Sequence, residues 1–172
     1  MRLPEGVSLP ARSVVATVSV VRQQKCVAMG GRTVATYPIS TARAGIGGES
    51  GSNKTPPGWH RVCARFGAKA PLGQVFVSRR PVRGQTLPPA KWRAGGDTDL
   101  ILSRILWLDG LEPGINKGGT VDSRARYIYL HGTNQEQLLG TPASHGCIRM
   151  ANRDIAALFA LARARPLFVV IG

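Results

Sequence analysis

From Val14 to Val20 apolar and small polar residues alternate, and most are β-branched, which predicts a strand over 14–21. The stretches 25–29 and 33–37 flank Gly30-Gly31, which predicts a hairpin on a two-glycine turn. Gly, Ser, Asn and Pro dominate 43–58, a loop composition. Alternation resumes over 59–66, and 75–78 reads as a short strand. The run 100–108 (LILSRILWL) fits helix or strand, and the Asp109-Gly110 turn signal after it tips the reading to strand. Residues 126–130 and 167–171 are also strand-like. Helical period occurs in 152–165, where Ile155, Leu158, Phe159 and Ala162 fall at i, i+3, i+4 and i+7. Asn152 is the expected N-cap, Asp154 suits the positive helix end, and Pro166 stops the helix. The pattern is mainly β with one clear helix near the C-terminus.

Between these elements, 79–99 holds three prolines and three glycines with little periodicity. A loop of about twenty residues is long for a compact domain, so it is expected to form a flap over a site. At 172 residues the chain is expected to be a single domain over 1–172, with its core at about 14–171.

Charge changes the picture more than hydrophobicity does. The net charge is +14, and 18 of the 23 basic residues are arginine. Such a field attracts anions. The arginines are spread from Arg2 to Arg165 without a basic helix or an aromatic-interleaved stripe, so no nucleic-acid partner is expected. No apolar run reaches the roughly 18 residues of a membrane span. Pro4, Glu5 and Pro10 break up the N-terminal leader, so the chain as written is expected to stay in the cytoplasm.

Cys26, Cys63 and Cys147 form no CxxC, and an odd count leaves at least one thiol free. Cys26 and Cys63 lie in strand patterns and read as small buried hydrophobes. Cys147 lies between Gly146 and a helix start, in ASHGCIRM, with imidazole and hydroxyl neighbours. A thiol attacks an acyl carbon as thiolate, so it needs a base and a group that orients the base. Two bases are at hand: His145, two residues before, and His131, at the end of YIYL. Helix proximity would favour the thiolate, and N–H groups of the SHGC turn are candidate oxyanion donors. The ligand-pair spacing of zinc sites is missing, and no metal or cofactor is expected. His60 reads as an ordinary surface or packing histidine. A non-catalytic, arginine-rich binding module is the alternative class.

The stretch from His131-Gly132-Thr133 to Ser144-His145-Gly146-Cys147-Ile148-Arg149 resembles the signature of the L,D-transpeptidase catalytic domain family (YkuD type). Upstream, Tyr37-Pro38-Ile39-Ser40-Thr41 followed by Thr55-Pro56-Pro57-Gly58 agrees with it in order. The resemblance implies a mixed, β-sandwich-like fold and a peptidoglycan stem tetrapeptide or muropeptide as partner, for a protein expected to be a monomer. Cys147 would form a thioester and release terminal D-Ala. An amine acceptor then gives a 3→3 cross-link, and water gives carboxypeptidase activity on soluble muropeptides. By position, Cys147 matches the nucleophile, His131 the base and the Gly132 carbonyl its orienting group. His145, Gly146 and Cys147 match the oxyanion segment, with Ser144 beside them. Arg149 is left between carboxylate recognition and structural pairing, and Tyr129 is a candidate substrate contact. The family implies a cell-envelope or periplasmic site of action, against the cytoplasmic expectation above. Only twelve residues separate His131 from Ser144, so Gln135-Glu136-Gln137 is expected to be an open rim.

Overall fold

The computed structural model describes residues 2–93, 96 and 98–172. Its strands are β1 (Val14–Ser19), β2 (Gln24–Met29), β3 (Arg32–Ser40), β4 (Gly58–Phe66) and β5 (Gln74–Val77). There follow β6 (Arg80–Thr86), β7 (Ile101–Gly110), β8 (Tyr129–Thr133), β9 (Ile148–Met150) and β10 (Leu167–Ile171). Helix α1 (Asn152–Ala164) lies between β9 and β10. The sheet order is β4-β10-β1-β2-β3-β9-β8-β7-β5-β6, and a further β4–β7 pairing joins eight of the strands into a closed circuit. β5 and β6 hang outside that circuit on β7, through Val75↔Leu102 and Phe76↔Ile101. Among the described residues the fold is mostly β with a single α-helix near the C-terminus, as the pattern of the sequence predicts.

Period two sorts the side chains. On β7, β8 and β9, Leu106, Leu108, Leu130, Ile148 and Met150 face inward, where they meet Ile155, Leu158 and Phe159 of α1 in the main core. Their strand neighbours Ile105, Trp107, Tyr129, His131, Cys147 and Arg149 therefore turn to the opposite face. Gly30 and Gly31 both have positive φ, 55° and 77°, the twist that a two-residue hairpin turn requires.

Three expectations change. The segment 79–99 is not loop throughout: 80–86 is β6, and Pro89–Lys91 is a short 3₁₀ turn. Pro81 hid the strand, but β6 ends the sheet, and an edge strand can carry a residue without an N–H. Residues 94, 95 and 97 of the expected flap lie outside the described residues. Second, β8 begins at Tyr129 and not Arg126, because Tyr127 has a left-handed φ of 56° and closes a turn with Arg124. Third, Asn152 is not the N-cap; Ala151 is, without a side-chain cap. The amide of Asn152 is used inside: Nδ2 donates to the Thr133 carbonyl at 2.8 Å, and Oδ1 accepts from Ser103 Oγ at 2.6 Å. Glu136 supplies the helix end instead, its carboxylate accepting from the Asn152 N–H at 2.8 Å.

His60 is a packing residue with a specific role. It is fully buried; its Nδ1–H donates to the Gly58 carbonyl at 3.0 Å, and Nε2 accepts from Ser123 Oγ at 2.9 Å. Burial pushes its pKa down to about 4, so the folded protein holds it neutral while the unfolded chain protonates it near 6.5. The unfolded state then binds more protons between these values, and stability falls as pH drops from about 6.5 towards 4. The loss from this one group is roughly 3 kcal/mol. Urea unfolding at pH 7 and pH 4.5 checks it: His60→Gln should flatten that part of the slope, and an unchanged slope would refute it.

Candidate active site

β8 and β9 run parallel, pairing Leu130↔Ile148 and His131↔Arg149. Cys147 immediately precedes β9, two residues before the partner of His131, so thiol and imidazole stand on the same face of adjacent strands. The Cys147 sulfur accepts the Tyr129 N–H at 3.4 Å, and the thiol faces the Tyr127 carbonyl at 3.6 Å. His131 is buried, and its Nδ1 lies 2.8 Å from the Gly132 carbonyl. A carbonyl only accepts, so Nδ1 carries the proton and Nε2 keeps its lone pair.

Gly132 turns inward. A Cβ there would overlap Asn152 Oδ1 and lie 2.8 Å from the Leu102 carbonyl, so a side chain would displace the strand that carries the imidazole.

The SHGC turn is braced from both sides. Ser144 Oγ donates to the Cys147 carbonyl at 2.6 Å and accepts the Gly146 N–H at 3.2 Å. Thr55 Oγ1, from the TPPG element, donates to the Gly146 carbonyl and accepts the Ala42 N–H, each at 3.0 Å. Gly146 has a φ of 130°, open to glycine, and Lys54 O and Ile128 Cδ1 sit 3.4 Å from where a Cβ would be. Among the described residues the N–H groups of His145 and Cys147 have no acceptor. The His145 side chain is exposed, so the buried candidate base is His131.

Cys147 is not at a helix terminus, since β9 separates it from α1. The expected help from the helix does not arise. Although part of the residue reaches solvent, the protein packed around its sulfur pushes the thiol pKa up to about 11. The Tyr129 N–H opposes this, as do the charges of Arg149 and Arg126. Burial also lowers the pKa of His131, against the charge of Asp99 and the Gly132 hydrogen bond. Thiol and imidazole thus rest as a neutral pair.

Arg149 is 1% exposed. Its Nη2 pairs with Asp99 at 2.7 Å and donates to the Ala143 carbonyl at 3.0 Å, while Nη1 donates to Gln135 Oε1 at 2.8 Å. Of the two roles left open for it, this geometry supports structural pairing. Gln135 and Glu136 are accordingly tied down, one to Arg149 and one to α1, and do not form an open rim. Tyr129 forms part of the wall: its ring is buried against Trp107 edge to face at 5.9 Å, and its hydroxyl accepts from Arg79 Nη1 at 2.9 Å.

Asp99, Thr55, Arg79 and Arg126 were not among the expected site residues. Thr55 was visible within TPPG, which marked it as part of a pattern but not as a brace. Arg126 ties the 47–54 loop beside the SHGC turn through the carbonyls of Gly48 and Lys54, at 2.6 and 2.7 Å. Arg79 and Asp99 bound the 79–99 segment that was expected to cover a site, but nothing in the sequence marked either side chain, because each reaches the site only through the sheet topology. Among the described residues no group of three or more His, Cys, Asp or Glu side chains is placed to hold a metal, and no helix is long and apolar enough to cross a membrane.

The β-rich domain thus places a cysteine and a carbonyl-oriented histidine on one face of its sheet. Residues 13–171 match the family model of the L,D-transpeptidase catalytic domain (YkuD), and the chain belongs to that family. L,D-transpeptidase 3 from Mycobacterium tuberculosis, solved with a faropenem-derived adduct, is similar in fold, with a TM-score of 0.53 at 16% identity over 92% of this chain and 59% of that one. An L,D-transpeptidase from Mycobacterium smegmatis gives a TM-score of 0.51 at 13% identity, covering 92% and 58%. One from Stackebrandtia nassauensis gives 0.52 at 13%, covering 98% and 59%. The chain spans about three fifths of the length of these solved chains. No curated protein matches it in sequence.

Proposed function

We propose that the chain is a cysteine-dependent acyl-transfer enzyme acting on peptidoglycan stem tetrapeptides. The observation that carries this reading is the placement of His131 on β8 and of Cys147 immediately before its parallel neighbour β9, on the same sheet face, with Nδ1 of His131 committed to the Gly132 carbonyl. His131 Nε2 takes the thiol proton as Sγ attacks the carbonyl carbon of the third stem residue. The N–H groups of His145 and Cys147 face the developing oxyanion. The C–N bond breaks, the amine of terminal D-Ala leaves with the proton held by His131, and a thioester remains on Cys147. An amine of a second stem, or water, then attacks the thioester while His131 accepts its proton. The C–S bond breaks, and the sulfur recovers that proton.

The test is mass spectrometry of products from a disaccharide tetrapeptide. Release of D-Ala is expected; dimers in the presence of an amine stem identify transpeptidation, and tripeptide alone identifies hydrolysis. Neither product from folded protein would sink the reading. An independent check uses the relative solved with a faropenem-derived adduct. Faropenem should add covalently to this protein, the added mass should map to Cys147, and Cys147→Ala should stay unmodified. Modification confined to Cys26 or Cys63 would contradict the assignment of the nucleophile.

A further inference from the structure

We infer that Arg79, at the tip of the β5–β6 hairpin, is the residue that reads a carboxylate of the substrate beside the thiol. The inference rests on the acyl-transfer reading of the same site.

The hairpin turn is Ser78-Arg79, and both residues have positive φ, 48° and 68°. Glycine or asparagine is the usual occupant of such a turn. An arginine held there against its backbone preference points to a use for the side chain. The guanidinium carbon lies 4.7 Å from the Trp107 ring centre and 5.0 Å from that of Tyr127, and Nη1 donates to the Tyr129 hydroxyl at 2.9 Å. Tyr129 gives its N–H to the Cys147 sulfur, and the thiol faces the Tyr127 carbonyl. The cation is thus one residue removed from the nucleophile on two sides.

It is also free to bind. A guanidinium has five N–H donors, and among the described residues Tyr129 Oη is the acceptor that Arg79 has. Arg149 was left between carboxylate recognition and structural pairing, and that side chain is buried and engaged by Asp99, Gln135 and the Ala143 carbonyl. Arg79 further lines a groove of about 640 Å³ between the 67–73 loop and the hairpin. Phe66 and Phe76 give that groove aromatic walls. Arg65 and Lys69 add two more cations, and its described lining contains no carboxylate. Phe66, Phe76 and Cys147 belong to one apolar cluster. A peptide running past the thiol into this groove meets apolar contact and uncompensated positive charge. A flat guanidinium already stacked on two rings presents its remaining donors as a fork, which suits a carboxylate.

Arg79→Gly is the informative variant, because glycine relieves the turn while removing the cation. In wild-type enzyme, KM for the disaccharide tetrapeptide should rise when its stem carboxylates are amidated. In Arg79→Gly, KM should be raised roughly tenfold, with kcat changed much less, and amidation should add no further penalty. Arg79→Lys should restore part of the KM. Equal amidation penalties in wild type and Arg79→Gly would overturn the assignment. A second arm does not depend on turnover. Glutarate titrated into Cys147→Ala protein should shift the fluorescence of Trp107, identified by its loss in Trp107→Phe, and Arg79→Gly should weaken that binding roughly tenfold. Glutarate binding that is absent, or unchanged by Arg79→Gly, overturns the carboxylate site. Absence of turnover in wild-type protein that still binds glutarate through Arg79 would instead sink the acyl-transfer reading.

Discussion

Cys147→Ala should lower turnover of a tetrapeptide donor by at least a thousandfold, and His131→Ala should cost nearly as much. In the proposed reaction nucleophile and base act as one unit, so losing either should remove the whole covalent route. The neutral resting state sharpens this expectation. With a thiol pKa of about 11, the free protein holds almost no thiolate at pH 7, so Cys147 without His131 has nothing to take its proton. His145→Ala separates the two histidines: that side chain is exposed, and its loss should stay within about tenfold. Initial rates measured by D-Ala release, with melting curves to show intact folds, decide the matter. If His131→Ala retained most of its activity while His145→Ala lost it, the base would be wrongly assigned.

Arg149→Ala carries the largest expected loss of stability, about 3–5 kcal/mol. The guanidinium is buried, and the pair it forms with Asp99 joins the 98–100 stretch to β9. Removing it leaves the Asp99 carboxylate without its cation and takes donors from Gln135 and the Ala143 carbonyl. For a chain of this length the midpoint of thermal unfolding should drop by on the order of 10 °C. Adding Asp99→Asn should recover part of that loss, because the stranded charge disappears with it. A drop of a degree or two for Arg149→Ala alone would show that the pair is idle.

How far the sequence reaches depends on how local each determinant is. The hairpin on Gly30-Gly31, the strand Val14–Ser19 and the stripe Ile155, Leu158, Phe159, Ala162 were legible because alternation and helical period are properties of neighbours. β6 was hidden because Pro81 reads as a breaker until its edge position is known. The helix start was misplaced because its cap, Glu136, comes from a segment sixteen residues upstream in the chain. The thiol and two candidate histidines were legible because β8 and the SHGC turn lie close in sequence, and the family resemblance pointed to His131, which the fold brings to the same sheet face as Cys147. Asp99 and Arg79 lie about fifty and seventy residues before the thiol, and only the sheet order brings them to it. The raised thiol pKa was equally invisible, since it depends on what packs around the sulfur.

The place of β6 at the end of the sheet has a consequence for how copies of this protein meet. A terminal strand offers unpaired backbone groups on which a second molecule can continue the sheet, the usual route from folded protein to aggregate. β6 blunts that route in two ways. Pro81 withdraws a donor, and Arg80 and Arg83 place exposed positive charge along the strand. Two such edges brought together would set like charges opposite each other without a carboxylate in β6 to relieve them. The surplus of arginine therefore also works against self-association, at the sheet edge where association would begin.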